Sequence, residues 1–556
     1  MENNNESTAP GFIRPRRIAP QNIVLRLFAR ESGMYRRGTE SYVSRKFYQN
    51  IYPNLTVVNV EKPAGFLRKF SPDGKYLIGF SYDQTSVEIY RFLGVPAAAN
   101  LLNLWNDDIV PNVNKHLPYF IRSQIFEKLF KLQKTVSVSQ LNKQLNRECS
   151  LFTNDGRFVI VGAASFISDD NRPGFHEIYT TNEAITPTSK YNLEDFSIYL
   201  VDIQEGRVTD TVDFNVDKIF LAHNQGIYLY NNTFAVLSVF HQTIHIFEIY
   251  NGRFMAVQKI GRFCSEFEKN LYNATYPNPM FRPFMEKTIN SLKHRVLVFL
   301  FKKATLDQRS SGEAFYLRKY FQFFDSYKSL RMWKMQLLDE DHLLIKYASE
   351  EVVSLKVLEP NSHPSFFVFY SIPDSRVLEV FDNTSRDLLH LFENFCDMFR
   401  NTQVQSDSLF PCSPSNNIYA KLLQQKCKQT IISARGGGAI EATKRMLAQL
   451  PISAQSYSCS PYLDLNLFSY DDKWISVMER PKACGEYPIR FFDRETGLFK
   501  FRIYPGLQDR RATSAPRRLV AFTFHPTEPF AISVQRVNNE YVVNFHIRHE
   551  PFRLNK

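Results

Sequence analysis

A hairpin unit that recurs along the chain constrains the fold more than any other feature. It is complete in Phe66 to Phe92, FLRKFSPDGKYLIGFSYDQTSVEIYRF: an apolar run reaches Ser71-Pro72-Asp73-Gly74, and strands follow from Tyr76 to Ser81 and Ser86 to Phe92. Pro presets φ at the second turn position, and Asp-Gly accepts the positive φ that a tight reversal needs. The register returns in FTNDGRFVIVG from Phe152, FSYDDKWISVM from Phe468 and FHPTEPFAISV from Phe524. Each copy has a Phe, a short polar turn, an aromatic (Tyr76, Phe158, Trp474, Phe530) and a short apolar strand. Weaker copies start at Leu337 (LLDEDHLLIKY) and Tyr230 (YNNTFAVLSV). One hairpin unit repeated around a long chain marks a β-propeller. The expected fold is therefore all-β: a WD40-like β-propeller of about seven blades, with no Trp-Asp dipeptides, with helical insertions and an N-terminal basic helical segment.

The repeat divides the chain. Blades one to five are expected over 51–382, interrupted at 94–148 and 265–292, and the closing blades over 461–556. Phe120 to Ser139 reads equally as helix or strand. Blades four and five are expected from strands at Arg295 to Phe301, Tyr316 to Phe324, Leu330 to Leu337, Leu343 to Tyr347, Val352 to Leu358 and Phe366 to Ser371. In 383–460 the apolar period changes from two to 3.6. Thr384 with Asp387 resembles a capping box, and Leu388, Phe392, Phe395 and Phe399 follow on one face. A second helix is expected over Ser415 to Ile432, with Tyr419, Leu422, Leu423 and Cys427 on one face, stopped by Gly436-Gly437-Gly438. A third runs from Ala439 to Leu450, before Pro451. Two readings stay open: a cap over a blade edge, or a separable module recruiting a partner through Phe392, Phe399, Tyr419 and Leu423.

Residues 1–50 hold a disproportionate share of the charge. Nine basic residues lie between Arg14 and Lys46 against four acids in this segment, while the whole chain carries +12 with a pI near 9.1. Ile23, Val24, Leu27 and Phe28 fall at helical spacing beside Arg26 and Arg30. This short amphipathic helix either packs on its own propeller or docks in a partner's groove. In a propeller closed by its termini, Arg16, Arg17, Arg36 and Arg37 could meet Arg510, Arg511, Arg517 and Arg518 in one basic patch that favours acidic partners.

Catalytic constellations are missing from the sequence. His241 and His245 have the i, i+4 spacing of a zinc helix but lie in a strand pattern that sets them roughly 13 Å apart. The Gly436 triplet lacks phosphate-loop spacing, and no GxSxG elbow occurs. Seven scattered cysteines contain no CxxC pair. No metal, no cofactor and no enzymatic activity are expected. The polar N-terminus and the lack of a run of 18 uncharged apolar residues predict a soluble intracellular protein that does not engage a membrane.

More specific than the repeat are VEKPAGFLRKFSPDGKYLI, LNRECSLFT, AHNQGIYLY, RMWKMQLLDEDHLLIKY, LFENFCDMFRN, QLPISAQSYSCSPYLDLNLFSYDDKW and AFTFHPTEPFAISVQ. Together they resemble the De-etiolated family of nuclear regulators, from about Val60 to Gln535. The resemblance implies a nuclear scaffold of a cullin-four RING ubiquitin ligase, bound to the damaged-DNA-binding adaptor and its small associated subunit. It also implies contact with a ubiquitin-conjugating enzyme or inactive variant and with the constitutively photomorphogenic RING ligase, and links to histones, chromatin and transcriptional repression. Many receptors of that ligase carry a Trp-Asp-x-Arg signature, whereas the tryptophans here are Trp105, Trp333 and Trp474 and none precedes Asp. Adaptor docking is therefore assigned by position and chemistry to the segment around Ile23, Leu27 and Phe28. A second reading is a chromatin-bound corepressor that holds histone or promoter DNA directly.

Overall fold

The computed structural model describes residues 48–103, 117–139, 143–168, 193–275, 290–312, 314–395, 418–453, 460–463, 467–470, 488–493, 496–506, 518–537 and 540–550, with a few positions between 173 and 185 and at 399. Its strands form six antiparallel sheets among these residues. β1 (Leu55–Val57) leads and leaves its partner for the far end of the chain. The first sheet is β2 (Phe66–Phe70), β3 (Tyr76–Phe80), β4 (Ser86–Phe92) and β5 (Phe130–Ser137). The second is β6 (Gln144–Leu145), β7 (Leu151–Phe152), β8 (Phe158–Phe166), β9 (Glu194–Asp202) and β10 (Arg207–Asp217). The third is β11 (Ile227–Tyr230), β12 (Thr233–Ser238), β13 (Thr243–Tyr250) and β14 (Arg253–Ile260); the fourth is β15 (Leu330–Leu337), β16 (His342–Ser349), β17 (Ser365–Ser371) and β18 (Arg376–Asp382). The fifth is β19 (Phe468–Ser469), β20 (Ile489–Asp493) and β21 (Phe499–Ile503). β22 (Arg518–Phe524), β23 (Phe530–Val537) and β24 (Glu540–Ile547) make the closing sheet, completed by β1, with Leu55 opposite Ile547 and Val57 opposite Phe545. The chain is a β-propeller with helical insertions, closed by its first strand.

Face-to-face packing of neighbouring sheets supplies the core. Ile78, Phe80 and Val87 of the first sheet meet Val159, Val161 and Val201 of the second, while Ile160 and Ile198 on the other face of the second meet Phe234 and Val236 of the third. Leu237 and Ile244 meet Met335 and Ile345 of the fourth. Phe468 and Phe491 of the fifth meet Phe524 and Ala531 of the closing sheet, whose Phe530 and Phe545 meet Phe70 and Phe92 of the first. Residues of the repeated unit thus recur at these seams. Each large side chain so buried contributes roughly 1.5–3 kcal/mol.

The repeated turn is built by the same bonds wherever its residues recur. Ser71 Oγ donates to Asp73 Oδ1 (2.5 Å) and accepts from the Tyr76 amide (3.0 Å), while Asp73 Oδ1 also accepts from the Lys75 amide (3.1 Å). Thr153, Asp155, Arg157 and Phe158 repeat this arrangement. Gly74 and Gly156 hold φ at +74° and +68°. A Cβ on Gly74 would also sit 2.4 Å from His525 Cε1 of the closing sheet's turn. Neighbouring turns are tied together: Asn154 donates to Asn231 (2.8 Å), and Asn231 to Glu340 (2.7 Å).

The helices of five or more residues among the described residues are α1 (Leu117–Leu129), α2 (Glu266–Thr275), α3 (Ser291–Ser311), α4 (Phe315–Gln322), α5 (Phe324–Lys328), α6 (Arg386–Asn394), α7 (Ile418–Ser433) and α8 (Ala439–Leu447). They correct the strands expected for blades four and five. Residues 295–301 lie in α3 and 316–322 in α4, so the expected blades four and five reduce to one sheet among the described residues. Asn290 accepts from the Lys293 amide, Leu292, Lys293, Val296 and Leu297 are buried at helical spacing, and Gly312 at φ +74° ends α3. Residues 352–358 form no strand. The ambiguous stretch 120–139 is both things in turn, α1 and then β5. None of the described helices is long and apolar enough to cross a membrane.

Two histidines at the ring closure must stay neutral. His525 Nδ1 accepts from the amides of Thr527 (3.1 Å) and Glu528 (2.8 Å), which leaves Nε2 to donate to Gly74 O (2.9 Å). Fully buried His546 bridges Thr56 of β1 (3.0 Å) and Ser533 of β23 (2.9 Å). Burial lowers His525 to about 4, against the opposing pull of Gly74 O and Asp73, and lowers His546 to about 3. Below about pH 6.5 the unfolded chain binds protons that these folded histidines cannot, so stability present at neutral pH is lost as pH falls. Between pH 7 and pH 5 the loss amounts to up to about 2 kcal/mol per histidine. The urea midpoint should drop over that interval, and less steeply in His546→Gln. A midpoint that stays level would show that neither ring controls closure.

Candidate docking surface

The insertion after β18 separates into a fixed base and a presented helix. α6 begins where Ser385 Oγ accepts from the Leu388 amide (3.2 Å), one residue beyond the expected Thr384 cap; Thr384 bonds Asp382 instead. Leu388, Leu389, Leu391 and Phe392 of α6, Phe399, and Met446 and Leu447 of α8 then cover Leu344, Phe367, Phe369 and Phe381 of the fourth sheet. Phe399 meets Phe392 and Phe369 edge-on, with ring centroids 5.6 and 6.3 Å apart. Gln336 of β15 donates to Phe399 O and accepts from the Ile452 amide (2.8 Å), which ties both ends of the insertion to an inner strand. Beneath this base Lys346 lies between the Trp333 and Phe367 rings, and burial, helped by Lys334, pushes it down to about 7.

α7 is placed differently. None of its described side chains is buried, and Leu422 and Ile432 are 54% and 38% exposed. It packs on α8 and is held by Lys428 against Glu393 of α6 (3.0 Å). The turn after it is the glycine stop: Gly436 at φ +74°, and Gly437 where a Cβ would fall 2.0 Å from Ile431 O. A helix fixed along one side and open along the other can offer side chains to a second protein without unfolding the base.

Phe392 and Phe399 are therefore corrected from recruiting residues to anchors, because both are buried against the fourth sheet. The insertion is likewise not a separable module, since its core is the sheet's core. Tyr419 and Leu423 lie on α7, but their side chains are outside the described residues. So are Ile23, Val24, Arg26, Leu27, Phe28 and Arg30, and Arg16, Arg17, Arg36, Arg37, Arg510, Arg511 and Arg517; Arg518 opens β22 with its side chain undescribed. His245 is half-buried in β13, lowered to about 3 by burial first and then by Lys259 and His241. No group of three or more potential metal ligands occurs among the described residues. Sequence reasoning missed the exposed aromatics of α4, having read them as a strand; the spacing of Asn290, Leu292, Val296, Leu297 and Gly312 was the available helix signal.

Comparison with known proteins supplies a family. The family model for De-etiolated protein 1 (Det1) matches residues 147–549. The chain is 29% identical to the light-mediated development protein DET1 of Solanum lycopersicum over 543 residues, covering 95% of this chain and 99% of that protein. The DET1 of Arabidopsis thaliana is also 29% identical, over 564 residues with the same coverage. Among solved structures, the Cps50 (Swd1) β-propeller domain of Myceliophteria thermophila covers 88% of this chain and 99% of its own at 8% identity, with a TM-score of 0.31. That superposition carries no weight beside the sheets themselves.

The division between anchor and presented helix has a measurable consequence. Phe392→Ala should cost about 3–5 kcal/mol in urea unfolding, as other buried Phe truncations do, whereas Leu422→Ala should stay within about 0.5 kcal/mol. Equal losses would mean that α7 is as much a part of the core as α6.

Proposed function

The chain belongs to the De-etiolated protein 1 family, and from that premise we propose that it is a non-catalytic scaffold and substrate-receptor subunit of a nuclear cullin-four RING ubiquitin ligase. The observation that carries the reading is α7, a 16-residue helix with no buried described side chain, mounted on a base that shares the propeller's core. A ubiquitin-conjugating enzyme or an inactive variant docks along this helix. The segment around Ile23, Val24, Leu27 and Phe28, flanked by Arg26 and Arg30, docks in an apolar groove of the damaged-DNA-binding adaptor, which carries its small associated subunit. The constitutively photomorphogenic RING ligase and the substrates to be degraded meet on this scaffold, and repression of transcription follows from their degradation. The second reading, a chromatin-bound corepressor holding histone or promoter DNA, draws on the net charge of +12.

Replacing Leu27 and Phe28 by Asp should abolish co-purification of the adaptor while the unfolding transition stays intact, because unpaired charge cannot be buried in an apolar groove. Leu422→Lys should separately remove the conjugating enzyme. Full retention of both partners would sink the scaffold reading. Submicromolar binding to duplex DNA that survives physiological salt would instead put the corepressor reading first, since phosphate-driven binding weakens by a slope of roughly 0.9 per neutralised phosphate.

A further inference from the structure

The insertion between the third and fourth sheets, α3 to α5, is an arm rooted firmly at one end and uncovered at the other. At the root, Leu292 and Val296 enter the core, and buried Lys293 pairs with buried Glu183 (2.8 Å), which also accepts from the Asn290 amide ahead of α3 (3.0 Å). Further along, Lys303 pairs with Glu379 of β18 at 2.6 Å. α4 then lies against α3: Tyr320 donates to Leu297 O (3.2 Å), and the rings of Phe301, Tyr320 and Phe321 meet edge-on with centroids 5.5–6.3 Å apart. Tyr320 is buried and Tyr316 and Leu317 are half-buried, while Phe321 touches Phe301 by its edge only and stays largely exposed.

The exposed surface of α4 is unusual in composition. Phe315 and Phe321 are 58% and 64% exposed, and Arg318 and Lys319 lie exposed between them. Elsewhere on the arm Lys302, Arg309 and Lys328 are exposed too, and none of these five cations has a carboxylate partner among the described residues. Over residues 291–329 there are eight Lys or Arg and three Asp or Glu. Large apolar side chains in water beside exposed cations, in an arm whose charge is predominantly positive, mark a surface that association would cover.

We propose that this face of α4 docks an acidic amphipathic helix of a protein partner, whose apolar side chains lie across Phe315 and Phe321 and whose carboxylates meet Arg318 and Lys319. A helix matches because i and i+4 side chains present one apolar stripe flanked by charges, and Arg pairs with carboxylates bidentately. Single-stranded nucleic acid matches less well. Its bases need open ring faces to stack on, whereas Phe321 is packed against Phe301 and Tyr320 and Phe315 meets Tyr316 edge-on.

The test selects from a displayed library of random peptides of about 16 residues, enough for a stable helix on a surface, using the full chain as bait. Selected peptides should be rich in Asp and Glu with large apolar residues at i, i+4. Their affinity should fall at least about tenfold both in Arg318→Glu with Lys319→Glu and in Phe315→Ser with Phe321→Ser, since each pair removes one half of the contact. All four positions are exposed, and unchanged thermal unfolding of each double variant verifies that the fold persists. Recovery of basic peptides, peptides indifferent to both double variants, or a labelled single-stranded DNA that binds more tightly than the peptides and is lost in the same variants would each overturn the proposal.

Discussion

The sheets of this protein are apolar on both faces, and everything else follows from covering them. In β16 and β17, Ile345 and Val368 face the third sheet while Leu344, Phe367 and Phe369 face the other way. Leaving the second face in water would forfeit roughly 1.5–3 kcal/mol for each large side chain, which over Leu344, Phe367, Phe369 and Phe381 rivals the whole stability of an ordinary domain, about 5–15 kcal/mol. A propeller covers such faces with the next sheet. Here the fourth sheet is covered by α6, α8 and Phe399 instead, which is why an insertion that looks like an addition in the sequence behaves as part of the core.

The same constraint explains the closure. The closing sheet gains its outer strand only when β1 pairs with β24. Side chains near the start of the described chain reinforce that pairing: Tyr48 donates to Thr527 O, Tyr52 stacks on Phe501 at 4.6 Å, and Tyr462 donates to Ile51 O. Gly74, His525 and His546 then join the two ends through contacts that tolerate neither a Cβ nor a proton. Closure is thus chemically specific, where the sheet seams are set mainly by shape and apolarity.

Much of this was legible in the sequence because turns impose backbone conformations that few residues accept. Ser71, Asp73 and Gly74, and their counterparts Thr153, Asp155 and Gly156, announce the hairpins; Gly436 to Gly438 announce the end of α7. The chain was harder to read where apolar residues run together, since VLVFLF in α3 and the aromatic-rich α4 suit a strand as well as a helix. Periodicity also shows that a helix has an apolar face without showing what covers it. Periodicity suits Phe392 and Phe399 to docking or to capping alike, and only the packing against Phe367 and Phe369 identifies them as anchors.

The packing fixes the insertions to the propeller's sheets and leaves selected helices open. The central physical claim is that α6 and α8 belong to the propeller while α7 only rides on it. Native-state hydrogen exchange on the full chain tests this directly. Amides of α6 and α8 should exchange with the same free energy as β16 and β17, close to global unfolding, while those of α7 exchange at least about 100-fold faster through local opening. If α6 and α8 instead exchanged with α7, well before β16 and β17, the insertion would be a detachable module and the account would be contradicted.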